Sequence, residues 1–193
     1  MTHSSGFEYS AIDNAAQDLG DLVPVRDWLV SHIPRRVRPP GEYAGYSNYS
    51  AVLAGYVVAR VYGMPYKEYV QQEILDPLGM TYSAIGTGAS PELERSSTMG
   101  YTYSDGAFLP FPRYWAQPAM VPSAGLASSA TDMARFTIAY PEDGRYGEAR
   151  ILQAETVQQM RRSLFPDEPR LCGAVDSAEA RFCFPVSERI PLE

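Results

Sequence analysis

Pro40-Gly41-Glu42-Tyr43-Ala44-Gly45-Tyr46-Ser47-Asn48 runs directly into an apolar stretch that ends at Tyr62 and is followed by Gly63. The Pro-Gly pair turns the chain. Asn48 suits the N-cap of a helix, and Gly63 is the residue type that closes one in the left-handed conformation. This spacing predicts a helix over 48–62. Leu53, Val57 and Val61 fall on one line of it, and Ala54, Val58 and Tyr62 on the next. Apolar residues over so much of the cylinder predict burial on several sides. Tyr46-Ser47-Asn48 therefore stands at the mouth of a buried helix. Alone the trio says little, because the chain holds 14 tyrosines and an Asn at a helix start ordinarily caps it.

Upstream, Val25, Trp28, Leu29 and Ile33 recur at helical spacing between Pro24 and Pro34, which predicts a helix over 24–33. Downstream, Pro65 opens a third helix that carries Tyr66, Tyr69, Val70 and Ile74 on one face and ends before Pro77. Tyr101 and Tyr103 alternate before Asp105-Gly106, and Phe108 to Phe111 follow, the pattern of a short hairpin with an Asp-Gly turn. Ser129, three residues before Asp132, starts a helix that should bury Met133 and Phe136. A last helix, 154–162, offers Val157 and Met160. Beyond the hairpin, no stretch alternates or clusters β-branched residues as a strand would. A helical set with one hairpin reads as the helical part of something larger.

Composition narrows the function classes. With 193 residues, 45% hydrophobic and 20% charged, the chain is globular in type and of single-domain size. Its net charge of −7 would repel a phosphate backbone, so nucleic acid is not an expected partner. The basic run Arg35, Arg36 and Arg38 reads as a solvated loop. No apolar stretch is long enough to span a membrane. Cys172 and Cys183 form no Cys-x-x-Cys, and His3 and His32 belong to no zinc motif, so no metal is expected.

Four further segments stand in order around Tyr46-Ser47-Asn48: Thr2-His3-Ser4-Ser5-Gly6-Phe7 before it, then Gly63-Met64-Pro65, Pro77-Leu78-Gly79-Met80, and Pro122-Ser123-Ala124-Gly125-Leu126-Ala127-Ser128-Ser129-Ala130-Thr131-Asp132-Met133 after it. Taken together they closely resemble the serine β-lactamase-related and penicillin-binding-protein-like hydrolases, which include class C β-lactamases, D-alanyl-D-alanine carboxypeptidases and related esterases. The resemblance covers about Thr2 to Leu171. It implies an α/β parent fold of the β-lactamase/transpeptidase type, of which this chain holds mainly the helical subdomain plus a short β-hairpin. It also implies hydrolysis of an amide or ester through an acyl-serine, a small-molecule or peptide substrate, and no metal or cofactor. In that chemistry a serine is activated by a lysine one helical turn later, in Ser-x-x-Lys. Tyr46 would match the phenol that relays a proton between nucleophile and leaving group. Asn48 would hold the lysine ammonium and offer its amide to the substrate.

Two of the family's three motifs are missing from the sequence. Lys67 is the sole lysine, and the residue three before it is Met64, so Ser-x-x-Lys is absent. Lys67-Glu68-Tyr69, His3-Ser4-Ser5 and His32-Ile33-Pro34 all fail as Lys-Thr-Gly or His-x-Gly. This pattern of loss predicts a truncated gene product: a partial domain over 1–171, with the nucleophile upstream of Met1, followed by a divergent tail over 172–193. Such a chain should be inactive alone, should show Tyr46 and Asn48 at the edge of an open cleft, and should be marginally stable. Two rival readings differ in kind. Gly45-Tyr46-Ser47-Asn48-Tyr49 approaches a nucleophile elbow, but its last residue is not glycine and no histidine follows Ser47. A non-catalytic helical binding module or pseudoenzyme remnant would use the aromatic stretch 108–115 as a surface.

Overall fold

The computed structural model describes residues 2–10, 14–16, 18–86, 90–110 and 115–162. Helix α1 spans Val25–Ser31 and α2 spans Asn48–Tyr62, the second over the range its sequence predicts. Gly63 closes α2 in the left-handed conformation, with φ 70°. The N-cap is Ser47, whose hydroxyl accepts from the Ser50 amide; Asn48 is the first helical residue instead. That correction frees the Asn48 side chain from capping. Helix α3, Tyr66–Val70, continues as a π turn over Gln71–Leu75, where Asp76 N donates to Gln71 O across 2.9 Å.

The remaining helices are α4 (Pro91–Ser96), α5 (Val121–Ala124), α6 (Ala130–Ala139) and α7 (Ala154–Met160). Ser129 caps α6 by accepting from Asp132 N, as its spacing predicts. Strands β3 (Tyr101–Ser104) and β4 (Ala107–Pro110) form the expected hairpin. Asp105 and Gly106 both take positive φ, 53° and 82°, the combination that matches the twist of a two-residue turn. Three more antiparallel pairs escape the sequence reading: β1 (Ala15–Ala16) with β5 (Trp115–Ala116), β2 (Ser83–Ile85) with β6 (Leu126–Ser128), and β7 (Arg145–Tyr146) with β8 (Ala149–Arg150). Each strand is two or three residues long, too short for periodicity to register.

Two clusters make the core. Trp28, Leu29, Tyr49, Val52, Ala119 and Met120 join α1, α2 and the turn before α5. Val70, Leu75, Leu78, Met80, Ile85 and Ala139 join the α3–π segment, β2 and α6. Buried polar groups find partners: Tyr49 Oη donates to Leu29 O at 3.0 Å, and Gln117 bridges Val23 N and Asp21 O.

Burial is narrower than the apolar patterns imply. On α2 the buried residues are Tyr49, Val52 and Gly55, whereas Leu53, Val57 and Val61 are exposed, the last at 74%. The expectation of burial on several sides therefore fails for this chain. Ile33 lies beyond the end of α1 and is exposed, and Met133, Phe136 and Met160 are exposed as well. Only Val157 of α7 reaches the interior. These residues have the hydrophobicity for burial, but no described element covers them. Among the described residues no helix is long and apolar enough to cross a membrane, and no group of three or more His, Cys, Asp or Glu could hold a metal ion. Cys172, Cys183 and the tail 172–193 lie outside the described residues, as do Phe111 and the Trp115 side chain.

Candidate active site

The start of α2 is held by a segment far from it in sequence. Residues 2–8 run beside the loop 35–47: Glu8 N donates to Arg35 O, Val37 N to Gly6 O, Gly41 N to Ser4 O and Gly45 N to His3 O, the last two at 2.7 Å. Gly6 has φ 75°, and a β-carbon there would lie 2.1 Å from Arg38 O, so the close approach demands glycine. Side chains extend the same clasp. Ser5 and Ser50 hydroxyls meet at 2.7 Å, and the edge of Phe7 meets the Tyr49 ring at 5.2 Å.

Tyr46 and Asn48 come together at this point. Tyr46 Oη donates to Asn48 Oδ1 across 2.8 Å, and Tyr46 is 50% exposed. Ser47 between them points inward and is buried, as its capping role requires. The alternation follows from the extended backbone of Ser47, φ −149° and ψ 116°, which sends neighbouring side chains to opposite sides. The result is one phenol and one amide displayed on the surface, joined to each other and backed by the helix.

His3 is the residue at this site that sequence reasoning passed over. Its Nδ1 accepts from Ser47 N at 3.3 Å, and its ring lies 4.8 Å from the Tyr46 ring. Burial pushes the imidazole below its ordinary value of 6.5. The segment Thr2–Phe7 was part of the family pattern, but a contact between residues 44 apart leaves no local signal.

Ser129 stands at the start of α6, as expected, with Ser128 beside it at the end of β6, yet their bonds are structural. Ser128 Oγ meets Ser83 Oγ at 2.7 Å, and Ser129 caps the helix. Asp132 is buried and accepts from Tyr82 N at 2.7 Å and Ser83 Oγ at 2.9 Å. Arg135 stands 3.5 Å from its other oxygen and also donates to Gly79 O. This knot ties α6 to β2 and to the turn at Gly79.

Three cavities of about 340, 380 and 360 Å³ lie against α3, α6 and α2 respectively. Tyr46 lines none of the three, so the cleft foreseen around Tyr46 and Asn48 is not among them. The Beta-lactamase family model matches residues 1–173.

The chain belongs to the beta-lactamase family.

Several proteins and solved structures are similar to it. Protein Rv1367c of Mycobacterium tuberculosis is 29% identical over 182 residues, covering 88% of this chain and 44% of that protein. The octameric penicillin-binding protein homologue from Pyrococcus abyssi is 30% identical with a TM-score of 0.65, over 84% of this chain and 37% of that one. The D-amino acid amidase from Ochrobactrum anthropi, complexed with D-phenylalanine, is 26% identical with a TM-score of 0.59, over 84% of this chain and 47% of the amidase. The beta-lactamase-family chain thus spans less than half the length of the curated relatives it matches, 24% to 44%. Its helices and hairpins correspond to the helical subdomain of a β-lactamase/transpeptidase fold.

Proposed function

We propose that this chain is the helical half of a serine hydrolase that cleaves amide or ester bonds through an acyl-serine, and that it contributes Tyr46 and Asn48 to the catalytic cleft. The observation that carries the reading is the hydrogen bond between Tyr46 Oη and Asn48 Oδ1 on the exposed start of α2. Family membership over residues 1–173 supplies the context; in this reading the chain is a partial domain over 1–171 followed by a divergent tail over 172–193.

Each role follows from donor and acceptor capacity. Asn48 Oδ1 accepts the phenol proton while Tyr46 is neutral; once Tyr46 is a phenolate, Oδ1 is free to accept from a lysine ammonium, and the Asn48 NH₂ remains for a substrate carbonyl. A phenol with an ordinary pKa of about 10 needs a nearby cation to act as a base near neutrality. In the full hydrolase, the lysine of Ser-x-x-Lys would be that cation. Tyr46 phenolate would take the serine hydroxyl proton as the serine oxygen bonds to the acyl carbon. It would return that proton to the leaving nitrogen or oxygen as the scissile bond breaks. The substrate class is an acyl compound such as a β-lactam, a D-amino acid amide or peptide, or an ester. The amidase likeness favours amides.

The test uses a longer protein in which Ser-x-x-Lys is encoded in frame with Met1. There Tyr46→Phe should lower kcat by roughly 10²–10⁴, the size of a general acid–base contribution, without lowering the melting temperature. An unchanged kcat would overturn the assignment. A second reading, a non-catalytic binding module, draws on Tyr101, Tyr103 and Phe108, all exposed on the β3–β4 hairpin. No in-frame Ser-x-x-Lys at the locus would favour it.

A further inference from the structure

We infer that His3 is a positioning residue for Tyr46, acting through the Ser47 amide that its Nδ1 accepts; the inference rests on the reading that Tyr46 serves the chemistry. Tyr46 is exposed, so core packing does not fix its ring. Its ring meets the His3 and Tyr9 rings and its hydroxyl bonds to Asn48, while its backbone is set by the turn Gly45–Ser47, which His3 grips at both ends. Its carbonyl accepts from Gly45 N at 2.7 Å, and its Nδ1 accepts from Ser47 N at 3.3 Å. Tyr46 lies between these two points. Its ring rests at 4.8 Å from the imidazole, tilted by 40°, and its hydroxyl reaches Asn48.

The arrangement specifies a tautomer. Only an Nδ1 lone pair can accept the Ser47 N–H, so the ring proton resides on Nε2. It also specifies a residue type. His3 has φ 53°, a left-handed conformation in which asparagine and histidine are enriched and most other residues are strained. A residue at this position therefore needs tolerance of positive φ together with a side-chain acceptor one bond beyond Cγ.

The test separates the acceptor from the backbone. His3→Gly tolerates the same φ but removes the acceptor; His3→Asn tolerates it and places Oδ1 where Nδ1 stood. In the isotopically labelled chain, the nuclear Overhauser contact between the Tyr46 ring and the Asn48 side-chain amide is measured together with the Ser47 amide proton shift. Methyl signals of Leu75 and Leu78, in the other core cluster, report that the fold persists. The expected result is loss of the Tyr46–Asn48 contact and an upfield Ser47 amide in His3→Gly, with both restored in His3→Asn. A contact that survives in His3→Gly, or that His3→Asn fails to restore, overturns the inference. If His3→Gly does not fold, the His3→Asn arm still decides. Failure of the functional reading would show elsewhere, as unaltered hydrolysis in Tyr46→Phe.

Discussion

Gly55 of α2 faces Pro122 of α5 so closely that a β-carbon on Gly55 would lie 2.3 Å from Pro122 Cγ. The contact sets how near the two helices approach. Alanine at 55 would gain roughly 1 kcal/mol of helix propensity. Against that, forcing a side chain into a contact this close costs about 1–3 kcal/mol, and Pro122 is tied to the α5 backbone and cannot swing aside. Gly55→Ala should therefore lower stability by about 1 kcal/mol, and Gly55→Val by more. Urea unfolding checks this; a higher midpoint for Gly55→Ala would show that propensity prevails.

Asp132 carries the second structural prediction. Removing its carboxylate leaves Tyr82 N and the Ser83 hydroxyl without their acceptor in a buried place. Asp132→Ala should cost about 3 kcal/mol, within the range for losing hydrogen bonds to a buried charged group. Asp132→Asn keeps one acceptor oxygen and should cost less. Equal stability of all three chains in urea would contradict the account.

Protonation of His3 gives a pH dependence of fixed sign. Burial lowers its folded-state pKa below the unfolded value of 6.5, so the native state binds fewer protons in that window. Its contribution to stability is present above 6.5 and is lost as pH falls from 6.5 through the folded value. Carboxylates titrate lower, so the readout is the difference between the parent chain and His3→Asn. That difference should shrink between pH 7.5 and 5, and growth on acidification would reverse the sign.

Leu53, Val57 and Val61 form an exposed apolar stripe on α2. Contiguous apolar surface of that kind favours association or dye binding. The purified chain should bind a hydrophobic dye and melt broadly, and Val57→Ser with Val61→Ser should reduce dye binding with little change in melting. A dye-negative monomer with a sharp transition would mean that the stripe is covered.

A further prediction concerns acylation. The sequence holds no Ser-x-x-Lys, so on the proposed reading no serine of this chain should be labelled by a fluorescent penicillin or a fluorophosphonate. Stoichiometric labelling of one serine would assign the nucleophile to a residue that lies outside the family's motif.

Elements with strong local chemistry were legible in the sequence. Helix α2 lay between a Pro-Gly turn and Gly63, the hairpin followed from Asp105-Gly106, and Ser129 announced α6. Tyr46 and Asn48 were singled out by order along the chain, since neither residue type is distinctive alone. What stayed hidden depends on partners distant in sequence. Strands β2 and β6 pair over three residues each, and His3 reaches Tyr46 across the N-terminal clasp. The periodicity of α2 overstated its burial for a related reason. Hydrophobic pattern records the surface a helix is shaped to bury, whichever chain segment supplies the cover.

The clasp between residues 2–8 and 35–47 also bears on how quickly the site assembles. Bringing His3 to Ser47 closes a loop of 44 residues, with a length-dependent entropy cost of about 3 kcal/mol. By contrast α2 is built from contacts within a few turns. Local helix should therefore form first, and the Tyr46 turn should acquire its geometry only when the N-terminal segment docks. A folding chain would pass through helical states in which Tyr46 and Asn48 are present but not yet aligned.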